Sequence, residues 1–326
     1  IWTRTTDGPS ARAYHGMASI GPNILMYGGF NGLNCFNDAY LFSLSSNETN
    51  GKVGTWTKTA DGPSARGWHQ MVSIDHNILM YGGFSTNNNI YGANKKINDA
   101  YIFSFVFNIK NEKVGKWTRT KDVPSARWSH QMAAIGPDIL MYGGKQIRTE
   151  KLNGHTKYLD DAFLFSLSYN EKNGQVGTWT RTADGPSARI NHQMATIDPY
   201  ILMYGGNDDN SNFNDAYLFS LSSNTTNAKV GTWTRTTDGP SARQGHQIAT
   251  IGEHILMYGG CGNYGPLNDA YFYSLLYNSN NTNNEEVGIW TRTTDGPSGR
   301  TDHAMASLGQ RILMFGGQNS SALFKD

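Results

Sequence analysis

The sequence predicts an all-β fold of six radial blades, and three observations carry that prediction. One unit recurs along almost the whole chain: Trp-Thr-Arg-Thr-x-Asp-Gly-Pro-Ser-Ala-Arg-x-x-His-x-Met, then Ile-Leu-Met-Tyr-Gly-Gly, then Asn-Asp-Ala-Tyr-Leu-Phe-Ser. Its tryptophans, Trp2, Trp56, Trp117, Trp179, Trp233 and Trp290, lie 54 to 62 residues apart. Each unit breaks into short apolar runs bounded by Gly, Pro, Asn and Asp, the punctuation of strands and turns. A period of roughly 50 residues built from short strands belongs to a β-propeller, not to a helical solenoid.

Four strands are expected in each unit. In the first, residues 15–20 alternate in character and end at Gly21-Pro22-Asn23, giving strand a. Residues 24–27 are apolar throughout and stop at Gly28-Gly29, the pattern of a strand buried on both faces, strand b. Residues 39–43 make strand c and residues 54–59 strand d. Strand a carries small residues (Gly16, Ala18, Ala133, Ala195, Ala249, Ala304), as the strands that converge on an axis must. Its methionines, Met17, Met71, Met132, Met194 and Met305, read as packing between blades rather than as a cofactor box. The last unit is short, with a strand c expected near residues 322–324. Residues 1–5 are expected to form its outermost strand and close the ring. The blades then fall at about 12–59, 66–120, 127–182, 189–236, 243–293 and 300–326 plus 1–6, in one domain spanning 1–326.

Composition narrows the rest only a little. Net charge is +1 with no basic stripe, which argues against nucleic acid as a partner. No apolar run approaches the roughly 18–20 residues that cross a bilayer. The chain begins at Ile1, consistent with a trimmed N-terminus and a removed signal peptide. Cys35 and Cys261 are too few for a disulfide scaffold and favour the cytoplasm over secretion. The sequons at Asn47, Asn224, Asn280 and Asn319 are what an Asn- and Ser-rich chain produces by chance. A monomer is expected, and the compartment is left open.

The pattern resembles the kelch repeat over the full chain. The double glycine returns six times in register, at Gly28-Gly29, Gly82-Gly83, Gly143-Gly144, Gly205-Gly206, Gly259-Gly260 and Gly316-Gly317. A later aromatic (Tyr40, Tyr101, Phe163, Tyr217, Tyr271) and the spaced tryptophan follow. The resemblance implies a kelch-type propeller of four antiparallel strands per blade, with the d–a and b–c loops emerging on one face. Some kelch propellers are enzymes, and those types fit unevenly. The galactose-oxidase type has seven blades and a Cys–Tyr cofactor. The iron-dependent specifier type is similar to Glu-x3-Asp-x3-His, against which Glu150, His155 and Asp160-Asp161 stand in the wrong order. The sialic-acid mutarotase type depends on channel-facing arginines and carboxylates, which Arg12 to Arg300 with Asp302 could imitate. No catalytic residue is assigned. No cofactor or metal is expected, iron or copper belonging only to the enzyme alternative.

Six arginines (Arg12, Arg66, Arg127, Arg189, Arg243, Arg300) and six histidines (His15, His69, His130, His192, His246, His303) recur in every unit. A residue that every blade carries serves every blade, so a structural role outweighs a histidine ring binding metal. Asp-Gly-Pro is turn chemistry. An adjacent Arg can hold backbone carbonyls or a carboxylate of the neighbouring blade. The informative positions vary within this frame. Between Arg and His stand Ala13-Tyr14, Gly67-Trp68, Trp128-Ser129, Ile190-Asn191, Gln244-Gly245 and Thr301-Asp302, and after the double glycine Phe30, Phe84, Lys145, Asn207, Cys261 and Gln318. The candidate ligand-binding set is therefore Tyr14, Phe30, Trp68, Phe84, Trp128, Lys145, Arg148, Lys151, Asn191 and Asp302. It sits off-centre toward blades one to three, with Lys145, Arg148 and Lys151 closing over it from the longest loops, 84–97 and 145–159. The competing reading is that Trp68 and Trp128 merely prop up those loops. The function expected is recognition of a protein or glycan. The alternative is an enzyme acting on a small molecule in the central depression.

Overall fold

The computed structural model describes residues 1–47, 51–86, 95–120, 124–147, 156–170, 174–223, 225, 228–277 and 286–326. The first unit folds as strand a (Gly16–Ile20), b (Asn23–Tyr27), c (Ala39–Asn47) and d (Gly51–Lys58), paired antiparallel in that order. The same order repeats in four further blades, whose inner strands are Gln70–Ile74, Gln131–Ile135, Gln193–Ile197 and Gln247–Ile251. The apolar run of strand b is buried on both faces: Ile24, Leu25, Met26 and Tyr27 are inaccessible.

Among the described residues there are five four-stranded blades, not six. The sixth unit supplies only a hairpin, Ala304–Ser307 with Ile312–Phe315. The register of its arginine explains this. Arg12 grips Asp38, and the next residue opens strand c. Arg300 grips Asp326 at the same separation of 26, and Asp326 is the last residue. Residues 322–324 therefore match the b–c loop, where Leu323 bridges back to Gln318, and are not a strand c. Residues 1–5 form no strand either, because the sixth unit offers them no strand c to pair with. Trp2 still takes a repeat position, its ring 4.9 Å from Tyr258.

The hairpin nonetheless bridges the last blade and the first. Met305 packs with Ala249 and Tyr258 on one side, while Ala304 and Phe315 pack with Met17 and Met26 on the other. The joints between complete blades use the same parts. At the joint of blades one and two, Tyr27 packs against Trp117 at 5.0 Å, meets His69 edge-on at 5.1 Å, and donates its hydroxyl to the Ser64 carbonyl. Met71 fills the space beside Ala18 and Tyr27. The double glycine is required here: Gly28 and Gly29 have φ of 67° and 101°, and a Cβ on Gly28 would stand 2.6 Å from the Arg66 carbonyl oxygen.

Candidate functional site

The recurrent arginines are consumed by the frame. Arg12 is fully buried; its guanidinium donates to the Gly28 carbonyl at 2.8 Å, to Ser10 Oγ at 3.0 Å and to both Asp38 oxygens at 2.6 and 2.9 Å. Arg66–Asp99, Arg127–Asp161, Arg189–Asp215, Arg243–Asp269 and Arg300–Asp326 repeat the pair. The carboxylate comes from the arginine's own unit, not from the neighbouring blade. It fixes the d–a loop to the end of strand b, and a charge-assisted fork holds it there. The Asp of Asp-Gly-Pro has a lesser role. Asp7, Asp61, Asp184, Asp238 and Asp295 pair on the surface with the cation three residues earlier, a contact worth little in solvent.

The six histidines are wedges between blades. All are buried, and among the described residues none of their ring nitrogens has a hydrogen-bond partner. Burial pushes His15 down to about 3, with the Arg12 charge adding to it. Burial, then the neighbouring arginine, holds the other five well below the usual imidazole range. These are neutral rings facing aromatic edges, such as His15 on Phe315 and His130 on Tyr81. No group of three or more His, Cys, Asp or Glu is placed to hold a metal ion among the described residues.

The residue before each histidine builds the mouth of the axial depression. Tyr14, Trp68, Ser129, Asn191, Gly245 and Asp302 all have φ between 53° and 62°. This left-handed turn is strained for five of them, and for Tyr and Trp above all. It lets each N–H donate to the carbonyl of the equivalent residue one unit back, at 2.8 to 3.3 Å. Asp302 O accepts from Tyr14 N, so the hydrogen bonds close a ring. The bridges from Ala13 to Phe30 and from Trp128 to Lys145 put the d–a and b–c loops on the same face.

The mouth is two-sided. On one side Tyr14 stacks on Trp68 at 4.1 Å, Trp68 meets Phe30 and Phe84 at 5.5 and 6.0 Å, and Phe84 meets Trp128 at 5.6 Å. Five candidate residues from three blades thus form one half-exposed aromatic arc. On the other side the groups are polar. Asn191 Nδ2 donates to Gln244 Oε1 at 2.9 Å, and Gln318 Nε2 donates to the Tyr14 hydroxyl at 2.7 Å and to Asp302 Oδ2 at 3.1 Å. Burial raises the Asp302 carboxyl to about 6 against the hydrogen bonds it accepts from Gln318, Tyr14 and Thr301. Burial and the Asp302 charge push the Tyr14 hydroxyl up.

Lys145 stands apart from both arcs. Its ammonium lies 4.6 Å over the Tyr158 ring and 3.9 Å from Asp209, so it ties the third blade's loop to the fourth's. Arg148 and Lys151, expected to close over the site with it, lie outside the described residues, as do Glu150 and His155. Cys35 and Cys261 form no disulfide; Cys35 is buried, its Sγ 3.6 Å from the Phe84 carbonyl.

Sequence reading missed the floor of the depression. Gln70, Gln131, Gln193 and Gln247 line it, immediately after the histidines of blades two to five. Gln131 and Gln193 are only 4% and 5% exposed, and all four glutamines line the depression. The signal was present: a polar side chain recurs between His and Met in an otherwise apolar inner strand.

The KLHDC2/KLHL20/DRC7 Kelch-repeats domain family matches residues 1–144 and 90–279. The chain belongs to this kelch-repeat family. It is 26% identical over 81% of its length to an F-box/kelch-repeat protein of Arabidopsis thaliana, of which it covers 54%. It is 25% identical over 79% of its length to acyl-CoA-binding domain-containing protein 4 of the same plant, covering 36% of it. Alpha-scruin of Limulus polyphemus is 22% identical over 79% of the chain, which covers 26% of that protein. The chain thus spans about a quarter to a half of these relatives. The solved structure of YjhT superposes with a TM-score of 0.73 over 99% of this chain and 95% of that one, at 14% identity, a likeness of fold.

Proposed function

We propose that this kelch-repeat chain is an interaction module that receives a polypeptide partner on the face bearing the d–a and b–c loops. One observation carries this reading. The side chains that recur in every blade are spent on the frame, whereas the variable positions Tyr14, Phe30, Trp68, Phe84 and Trp128 assemble into one continuous aromatic arc on a single face. Large, rigid, half-exposed aromatics beside a polar rim supply area at low entropic cost, the composition of an interface core. F-box/kelch-repeat proteins and scruin among the relatives carry the same repeat.

The test is selection of peptides from a random display library on the folded chain, followed by affinity measurement on variants. Trp68→Ala and Trp128→Ala should each cost about 2 kcal/mol, roughly thirtyfold in Kd, with thermal stability nearly unchanged. Glu253→Ala, in an a–b turn on the opposite face, should change nothing. Recovery of no binding peptide, or of peptides indifferent to both tryptophans, overturns the reading.

A further inference from the structure

We infer that the axial depression takes one cationic side chain of the partner, an ammonium or guanidinium, held between the Tyr14–Trp68 stack and the Asp302 carboxylate. This rests on the interaction-module reading and names the chemistry at its centre.

The lining decides the sign of the guest. Asp302 is the one carboxylate among the described residues that line the depression, and no Lys or Arg lines it. The six arginines below are paired within their own units. His15, His69 and His303, which also line it, are held neutral by burial. The cavity therefore carries a single negative charge with no cation of its own to balance it. A half-buried carboxylate in this position is costly until a counter-charge arrives.

Hydrogen bonds from Gln318, Tyr14 and Thr301 hold that carboxylate at the mouth. Four of the other mouth positions carry a side chain at this ring, but the one beside Asp302 is Gly245. A Cβ there would stand 2.7 Å from Asp302 Oδ1 and 2.2 Å from Thr301 Oγ1. Gln318 occupies Oδ2, and it also fixes the Tyr14 hydroxyl, so the acid and the aromatic stack are held as one unit. Tyr14 and Trp68 stack 4.1 Å apart, and both line the depression. A cation near aromatic rings and a carboxylate, shielded from bulk water, gains from both.

The floor completes the site. The amides of Gln70, Gln131, Gln193 and Gln247 line it and carry both donors and acceptors, so their carbonyl oxygens can turn to the remaining N–H groups of an ammonium or guanidinium. The depression is small, about 50 Å3, room for the charged head of one side chain and not for a folded element.

The probes are N-acetyl-arginine methylamide and N-acetyl-lysine methylamide, titrated into the full chain by NMR or calorimetry beside the norleucine and glutamate analogues. At least one cationic probe should bind saturably and at least about tenfold tighter than norleucine. Asp302→Asn, isosteric and still able to bond Gln318, should abolish that margin, and Trp68→Ala should reduce it. Equal binding of norleucine, no saturable binding of either cation, or a margin that survives Asp302→Asn overturns the inference. Selected peptides that depend on Trp68 yet need no Lys or Arg would overturn it too, while leaving the interaction-module reading standing.

Discussion

The joint between two complete blades and the seam where the hairpin meets the first blade use nearly the same contacts with very different amounts of sheet. At the joint of blades three and four, Tyr142 packs on Trp233 at 4.9 Å, meets His192 at 5.1 Å and donates to the Ser187 carbonyl. At the seam Phe315 replaces the tyrosine. It packs on Trp56 at 5.2 Å and faces His15 at 5.5 Å, but it has no hydroxyl to give. The backbone links survive: Gly317 N donates to Arg12 O at 2.9 Å, and Ser19 Oγ donates to the Ser307 carbonyl. Closure is thus an affair of the inner strands and the axial ring. The outer strands add burial to a ring already joined.

Acid should affect joints and seam alike, and it is the largest effect expected. Each histidine is neutral in the fold and has a pKa lowered below its unfolded value near 6.5. Its contribution is therefore complete above that value and is lost as pH falls toward the folded value, about 3 for His15. All six histidines therefore favour unfolding in the same sense as pH falls below about 6.5. Asp302 acts in the opposite sense. Its folded pKa is raised to about 6, so protonation on acidification relieves a cost, but for one proton against six. Circular dichroism against pH should show cooperative unfolding above pH 4, with uptake of several protons. A fold that persists to pH 3 contradicts the neutral assignment.

The arginine fork should separate the two regions next. Arg127→Ala strands the Asp161 carboxylate, which is 21% exposed, and should cost about 3–5 kcal/mol in denaturant unfolding. Arg300→Ala should cost clearly less, because Asp326 is 33% exposed. Equal losses would mean that the fork matters for its backbone bonds and not for its charge.

The smallest effect sharpens the comparison most directly. Tyr142→Phe removes the hydroxyl bond to the Ser187 carbonyl and should cost about 1 kcal/mol. Phe315→Tyr should return up to about 1 kcal/mol at the seam. Gly8 stands against the Phe315 ring as Gly185 stands against Tyr142, so the larger side chain has its usual cradle. If thermal unfolding shows no gain, the seam is not a regular joint lacking one hydroxyl.

The sequence by itself determined the repeating parts. The apolar run before each double glycine, the alternation after each histidine and the spaced tryptophans specify strands b, a and d, because burial and the pleat act within a few residues. Variation inside a constant frame was equally legible, and it pointed to Tyr14, Phe30, Trp68, Phe84 and Trp128. Tertiary structure alone decided how these meet. The arginine's partner lies 26 to 34 residues away, in the Asn-Asp-Ala turn and not in the conspicuous Asp-Gly-Pro. That pairing shows that residues 322–324 match the b–c loop and are not a strand c. The left-handed turns at Trp68 and Asp302, the glutamine floor and the packing of Asp302 against Gly245 exist only once six units surround one axis. Local sequence fixes what each blade is made of; the ring decides which of its side chains face a partner.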